Sequence, residues 1–269
     1  MALLSAASSK ARILLNDNGL DEITDMDLKF FVAGIDSTAM VVEEELKTCD
    51  GRITFGDKKT VIKVNSEIPY LERKRFVIAH EIGHLILHKG MSLPDDTFHN
   101  FNIIEGTEKF LQSGKQELEA NEFASELLMP THLFKAEARG KKFIPQLIKQ
   151  LADRFKVSLT AVAFKYLKCD LHPICIIQIT NGKVKYWKKS NSMNIWVGDV
   201  TKLPPPGDSV AMEYLQKGYE FVYSLEEKAQ KIKRSTWFEL RREEQDNDFY
   251  EYCIPTKSYK SILSIIWED

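Results

Sequence analysis

Between residues 76 and 87 the chain reads Phe-Val-Ile-Ala-His-Glu-Ile-Gly-His-Leu-Ile-Leu, and His80, Glu81 and His84 are its only polar side chains. A stretch this apolar over several turns predicts a helix buried nearly all round. The helix must lie inside a domain, and it carries three ionisable groups in with it. Burying a carboxylate and two imidazoles without partners is costly, so the fold has to supply something that compensates them.

Positions 80 and 84 are one helical turn apart, offset by roughly 40° and about 6 Å of rise, so their ring nitrogens can converge on one ion at about 2.0 to 2.1 Å. Glu81 points in the neighbouring direction. From there it reaches a water activated by the ion without being a ligand, the division of labour of the H-E-x-x-H metalloprotease motif. A chance match is the competing explanation, but with six histidines in 269 residues it is expected far less than once per chain.

A catalytic zinc needs a third protein ligand. The candidate lies in the run Glu117-Leu-Glu-Ala-Asn-Glu-Phe-Ala-Ser-Glu-Leu-Leu-Met-Pro130. At 100° per residue, Glu117, Ala120, Asn121, Ala124, Leu127 and Leu128 share a stripe, with Glu119, Glu122 and Glu126 on the opposite face. Glu117 is then the inward carboxylate. Asn121, one turn on, is placed to hydrogen-bond a ligand. Carboxylates in water describe the other three glutamates. His88 continues the i, i+4 row, but it lies about 12 Å along the axis from His80, while an ion shared by His80 and His84 is centred near about 3 Å. It is read as a structural hydrogen-bonder. His99 is a surface histidine first and an aid to a transition state second. Gly83, which costs a helix interior roughly 1 kcal/mol relative to alanine, suggests close approach of another element.

Length and composition set the frame. At 43% hydrophobic and 28% charged the chain is globular, with room for one large or two smaller domains. Its apolar runs fall short of the roughly 18 to 20 residues that span a bilayer, and its first basic residue, Lys10, follows the apolar start instead of preceding it, unlike a signal peptide. A cytoplasmic protein is expected. The net charge of -2 gives no global attraction to polyanions. Four scattered cysteines match neither a zinc ribbon nor a C-x-x-C pair and read as buried or idle thiols.

The string RKRFVIAHEIGHLILH, followed after a variable loop by E-x-E-A-N-x-F-A-x-x-L-L-M-P, resembles the ImmA/IrrE family of zinc metallopeptidases. Val64-Asn65 and the amino-terminal helix also fit, and the resemblance covers roughly residues 1 to 170. It implies one zinc per chain held by His80, His84 and an acid that maps onto Glu117, with Glu119 as a rival, and Glu81 as general base. It also implies an intracellular protein substrate, often a helix-turn-helix transcriptional repressor whose cleavage derepresses stress or mobile-element genes. The alternative is a non-proteolytic zinc-binding regulator that acts by binding DNA or a repressor.

The fold expected is α+β: a zincin-like metallopeptidase domain over residues 1–140, a helix-turn-helix-like segment over 141–170, and a β-rich region over 171–269, a possible sensor or docking module. Helices are expected at 5–18, 25–33, 71–88 and 116–129, with a strand pair turning at Gly56-Asp57-Lys58-Lys59. Residues 89–115 read as a long, lid-like loop. In the segment 147–168 the side chains available to base edges are mainly Thr160, Lys165, Tyr166 and Lys168, too few for a recognition helix. A packing unit is favoured, and DNA binding is not expected. The carboxy-terminal strands are ICIIQI, KVKYW, YEFVY, TWFEL and DFYEYCI, with SILSIIW ambiguous. Basic clusters at 183–189 and 228–234 read as solvated faces, and the acidic run 243–248 as a hairpin tip.

Overall fold

The computed structural model describes residues 4–91, 114–220 and 229–268. It has the α+β architecture expected, with two separate sheets and two compact units. One unit comprises Met1–Glu137 with Leu151–Ala161; the other comprises Ala138–Gln150 with Val162–Asp269.

The first unit opens with helix α1 (Ala6–Asp17), whose Ser5 cap accepts from the Ser8 N–H, and α2 (Leu28–Ile35), where Asp27 accepts from the N–H groups of Lys29 and Phe30. These side chains satisfy N–H groups that the first helical turn leaves unpaired. A three-stranded sheet follows: β1 (Ala39–Glu44), β2 (Gly51–Phe55) and β3 (Thr60–Asn65), in the order β1-β3-β2. β3 runs parallel to β1 and antiparallel to β2, so β2 is an edge strand. The expected turn is closed by the Gly56 N–H donating to the Lys59 carbonyl at 3.0 Å. β1 escaped the sequence reading.

Helix α3 (Leu71–Leu87) is buried continuously from Phe76 to Leu85. Its first turns are anchored by three consecutive cations that point three ways. Arg73 pairs with Asp50, Lys74 Nζ lies 2.7 Å from Glu43, and Arg75 donates to the carbonyls of Met26 and Thr24 at 2.9 and 3.0 Å. Asp50 directly precedes β2, and its carbonyl accepts from the Asn65 N–H at 2.8 Å, so the edge strand is tied to both β3 and α3.

Helix α4 (Lys115–Leu128) packs on α3 and on α1. Being covered on two sides overturns one expectation. Glu126 is buried at 1% exposure, paired with Arg12 of α1 at 2.7 Å, and it also accepts from the Thr131 N–H at 2.9 Å. It thereby caps α5 (Thr131–Ala138), a helix that Pro130 starts after ending α4. α6 (Pro145–Phe155) and α7 (Leu159–Cys169) form the expected pair around residues 156–158.

The second unit is built on an antiparallel sheet ordered β5-β4-β8-β7-β6, from β4 (Ile174–Thr180), β5 (Lys183–Lys189), β6 (Gln230–Lys233), β7 (Asp248–Thr256) and β8 (Ser261–Glu268). One face packs on α8 (Val210–Gln216) through Cys175, Ile177, Phe249 and Ile266. Phe143 and Tyr166 lie by the other, with the Phe143 ring centroid 5.0 Å from that of Trp267. Burial on both faces explains why β8, the ambiguous SILSIIW, lacks alternation. TWFEL is not a strand: Thr236 and Trp237 lie in a one-turn helix, α9 (Arg234–Trp237), and only Glu239 bridges back, to Trp196. The expected strand YEFVY, the lid-like loop and His99 fall mainly or wholly outside the described residues. No helix among the described residues is long and apolar enough to cross a membrane.

Candidate metal centre

α3 and α4 cross where Gly83 faces Ala120. A Cβ on Gly83 would lie 3.0 Å from the Ala120 Cα and 3.1 Å from its carbonyl oxygen, so any larger residue would press on the backbone of α4. The crossing brings Glu117 to the two motif histidines, and the ligand atoms of His80, His84 and Glu117 all lie within 4.8 Å of one another. His80 Nε2 is 2.9 Å from His84 Nε2, 3.3 Å separates it from Glu117 Oε2, and His84 Nε2 is 3.3 Å from Glu117 Oε1. None of the three residues is more than 4% exposed.

The donor set fits a cation. Asn121 places its Oδ1 3.0 Å from His80 Nδ1. An amide oxygen only accepts, so the His80 proton sits on Nδ1 and its Nε2 offers a lone pair to the centre. Glu117 Oε2, which faces that nitrogen, is buried without a hydrogen-bond partner. Burial works to raise the Glu117 carboxyl pKa, and where the facing rings of His80 and His84 carry protons they bring it down to about 2. A buried anion and imidazole lone pairs aimed at one point form a site that a divalent ion completes.

Glu81 stands beside this cluster and is not part of it. Its carboxylate lies under edge strand β2, where it accepts from the Ile53 N–H. A Cβ on Gly51 would come within 3.0 Å of its Oε1 and 2.3 Å of Val77 Cγ1. Burial pushes its pKa up to about 7; His84 opposes that, Glu117 reinforces it, and the Ile53 N–H and Arg52 oppose it. A second line of contacts leaves the cluster on the other side. His84 Nδ1 is 3.0 Å from His88 Nδ1, and His88 Nε2 is 3.2 Å from Glu119 Oε2. Burial pushes the His88 imidazolium pKa down, against the pull of Glu119, which favours the neutral ring.

Residues 37–166 match the family described as IrrE N-terminal-like domain, Peptidase_M78. The match encloses both helices of the IrrE-like domain's His-His-Glu cluster and the sheet that carries β2. No curated protein matches the chain. Among solved structures, the fold is similar to that of a Mycobacterium tuberculosis transcriptional regulator, at 13% identity and a TM-score of 0.60 over 98% of this chain and 77% of that one.

Within the IrrE-like domain the structure brings together His80, His84 and Glu117 and sets Asn121 on His80, as the helical stripe suggested. It keeps Glu119 out of the cluster but links it to His88, so the rival ligand is not in water alone. The sequence reading missed the holders of Glu81, Gly51 and Ile53, because strand-to-helix contacts between distant residues leave no local signal. Of the four side chains weighed as base readers, Lys165 and Tyr166 are buried.

Proposed function

We propose that this protein is a zinc-dependent endopeptidase, with zinc held by His80, His84 and Glu117, Glu81 as general base, and Asn121 orienting His80. The observation that carries the reading is the buried cluster of two histidines and a carboxylate beside a second, separate carboxylate, Glu81, on the helix that carries both histidines. Zinc held there would supply Lewis-acid activation of a water and of the scissile carbonyl. Glu81 takes the proton of the attacking water and hands it to the leaving amine nitrogen. β2 and the Ile53 N–H hold the carboxylate in place meanwhile.

The substrate we assign is a helix-turn-helix transcriptional repressor cleaved in stress or mobile-element regulation, met in the cytoplasm. Residues 1–140 would carry the chemistry and 141–170 a packing unit. Residues 171–269, which hold a hydrophobic core of their own, would sense or dock. The structural neighbour's description as a transcriptional regulator keeps a second reading in view, a zinc-binding regulator that cuts nothing. Proteomics of cells carrying the intact protein or Glu81→Gln separates the two. Proteolysis predicts a repressor whose cleavage products vanish in the variant. Identical peptide profiles together with an unchanged cellular response support the regulator.

A further inference from the structure

We propose that His88 and Glu119 are positioning residues of the metal centre, a relay that fixes the ring of His84 and leaves its Nε2 as a donor. The proposal rests on the metal-site reading above. The direction of each bond follows from the chemistry of neutral imidazole, which carries one N–H and one lone pair. For Nε2 of His84 to face an ion, the proton must be on Nδ1. That nitrogen is 3.0 Å from His88 Nδ1, which must therefore accept. The His88 proton is then on Nε2, 3.2 Å from Glu119 Oε2, which can only accept. Every link has one donor and one acceptor. The opposite tautomer of His88 would set two N–H groups against each other and leave a ring lone pair facing a carboxylate.

The two motif histidines are thus oriented by different means. His80 is held by a neutral amide oxygen, whereas His84 is held by an imidazole that an anion polarises. A carboxylate behind a ligand histidine raises its basicity and locks its tautomer, and here the effect passes through a second ring. The placement suits a relay. His88 is 2% exposed, so its nitrogens need partners, and Glu119 reaches it from an outer position with about a third of its side chain exposed. A role limited to satisfying a buried ring would predict a stability effect and no change at His84.

The test measures zinc affinity by chelator competition on the full chain, beside ring nitrogen-15 spectra of the zinc-loaded protein. Glu119→Ala is expected to weaken zinc binding about 10- to 100-fold. Glu119→Gln, which keeps an acceptor oxygen and loses the charge, should recover part of that loss. His88→Ala should cost a similar factor, and adding Glu119→Ala to it should cost nothing further, since the carboxylate then has no route to His84. The spectra should show His84 protonated on Nδ1 and His88 on Nε2 in the wild type, with mixed tautomers in Glu119→Ala. Wild-type affinity in Glu119→Ala while His80→Ala loses its zinc overturns the relay and spares the metal site. Full zinc binding by His80→Ala removes the metal site, and the relay with it. Should His88→Ala fail to fold, the two variants at the more accessible Glu119 decide the matter alone.

Discussion

At the level of single residues, the buried charge of Glu126 and the paired charge of Glu43 show two ways in which partners meet a carboxylate. Glu126 shows the cost of the arrangement. Buried at 1% exposure, it answers Arg12 and the first N–H of α5, and an unsatisfied buried partner typically costs about 1 to 3 kcal/mol. Glu126→Ala is therefore expected to lower unfolding free energy by about that amount in denaturant titration, while an unchanged midpoint would contradict the contacts assigned to it. Glu43 works differently. Hydrogen bonds from Lys29 and then Lys74 bring its pKa down to about 2 from an ordinary value of 4.5. A depressed folded-state pKa stabilises the fold above the unfolded value and loses that contribution as pH falls through the folded one. The wild type should thus lose stability relative to Glu43→Gln between about pH 4.5 and pH 2, modestly, because the ion pairs are partly exposed. Parallel pH profiles for the two proteins would show that the pairs contribute nothing.

At the level of elements, the site depends on how closely β2 and α4 approach α3, and two glycines set those distances. Gly83→Ala forces a methyl group against the backbone of Ala120. Since backbone cannot swing aside, the helices must give by a few tenths of an ångström, which shifts Glu117 relative to His80 and His84. Loss of stability of about 1 to 3 kcal/mol and weaker zinc binding should appear together. Gly51→Ala presses on Val77 and the Glu81 carboxylate instead, so it should impair cleavage more than zinc content; the reverse pattern would mean that β2 does not hold the base. These contacts also mark what the sequence could reveal. The stripe Glu117, Ala120, Asn121 was readable because helical periodicity fixes faces, and Gly83 hinted at a close neighbour because a helix interior tolerates glycine poorly. Gly51 gave no hint, since a glycine opening a strand needs no explanation. Glu126 misled, because a helix wheel shows one buried face and α4 has two. TWFEL has strand-like composition, yet its first residues coil into a turn where Asp246 accepts from the Ser235 N–H at 2.8 Å.

At the level of the whole molecule, the chain forms two compact units, and the second has a hydrophobic core of its own. His80, Glu81 and His84 on α3 and Glu117 on α4 all belong to the first, and the second contributes a sheet filled on both faces with no comparable cluster among the described residues. The legibility of the two halves differs for the same reason. A metal centre needs particular side chains at particular spacings, whereas a sheet core accepts many apolar residues and so says little about what it serves. The central claim is the division of roles on α3 and α4: three residues hold the ion, and the carboxylate next to them does not. Zinc content per chain, measured by elemental analysis of the gently purified wild type, Glu81→Gln and Glu117→Gln, tests this directly. The account predicts about one zinc in the wild type and in Glu81→Gln, with most of it lost from Glu117→Gln. Full zinc in Glu117→Gln, or its loss from Glu81→Gln in a folded protein, would contradict it.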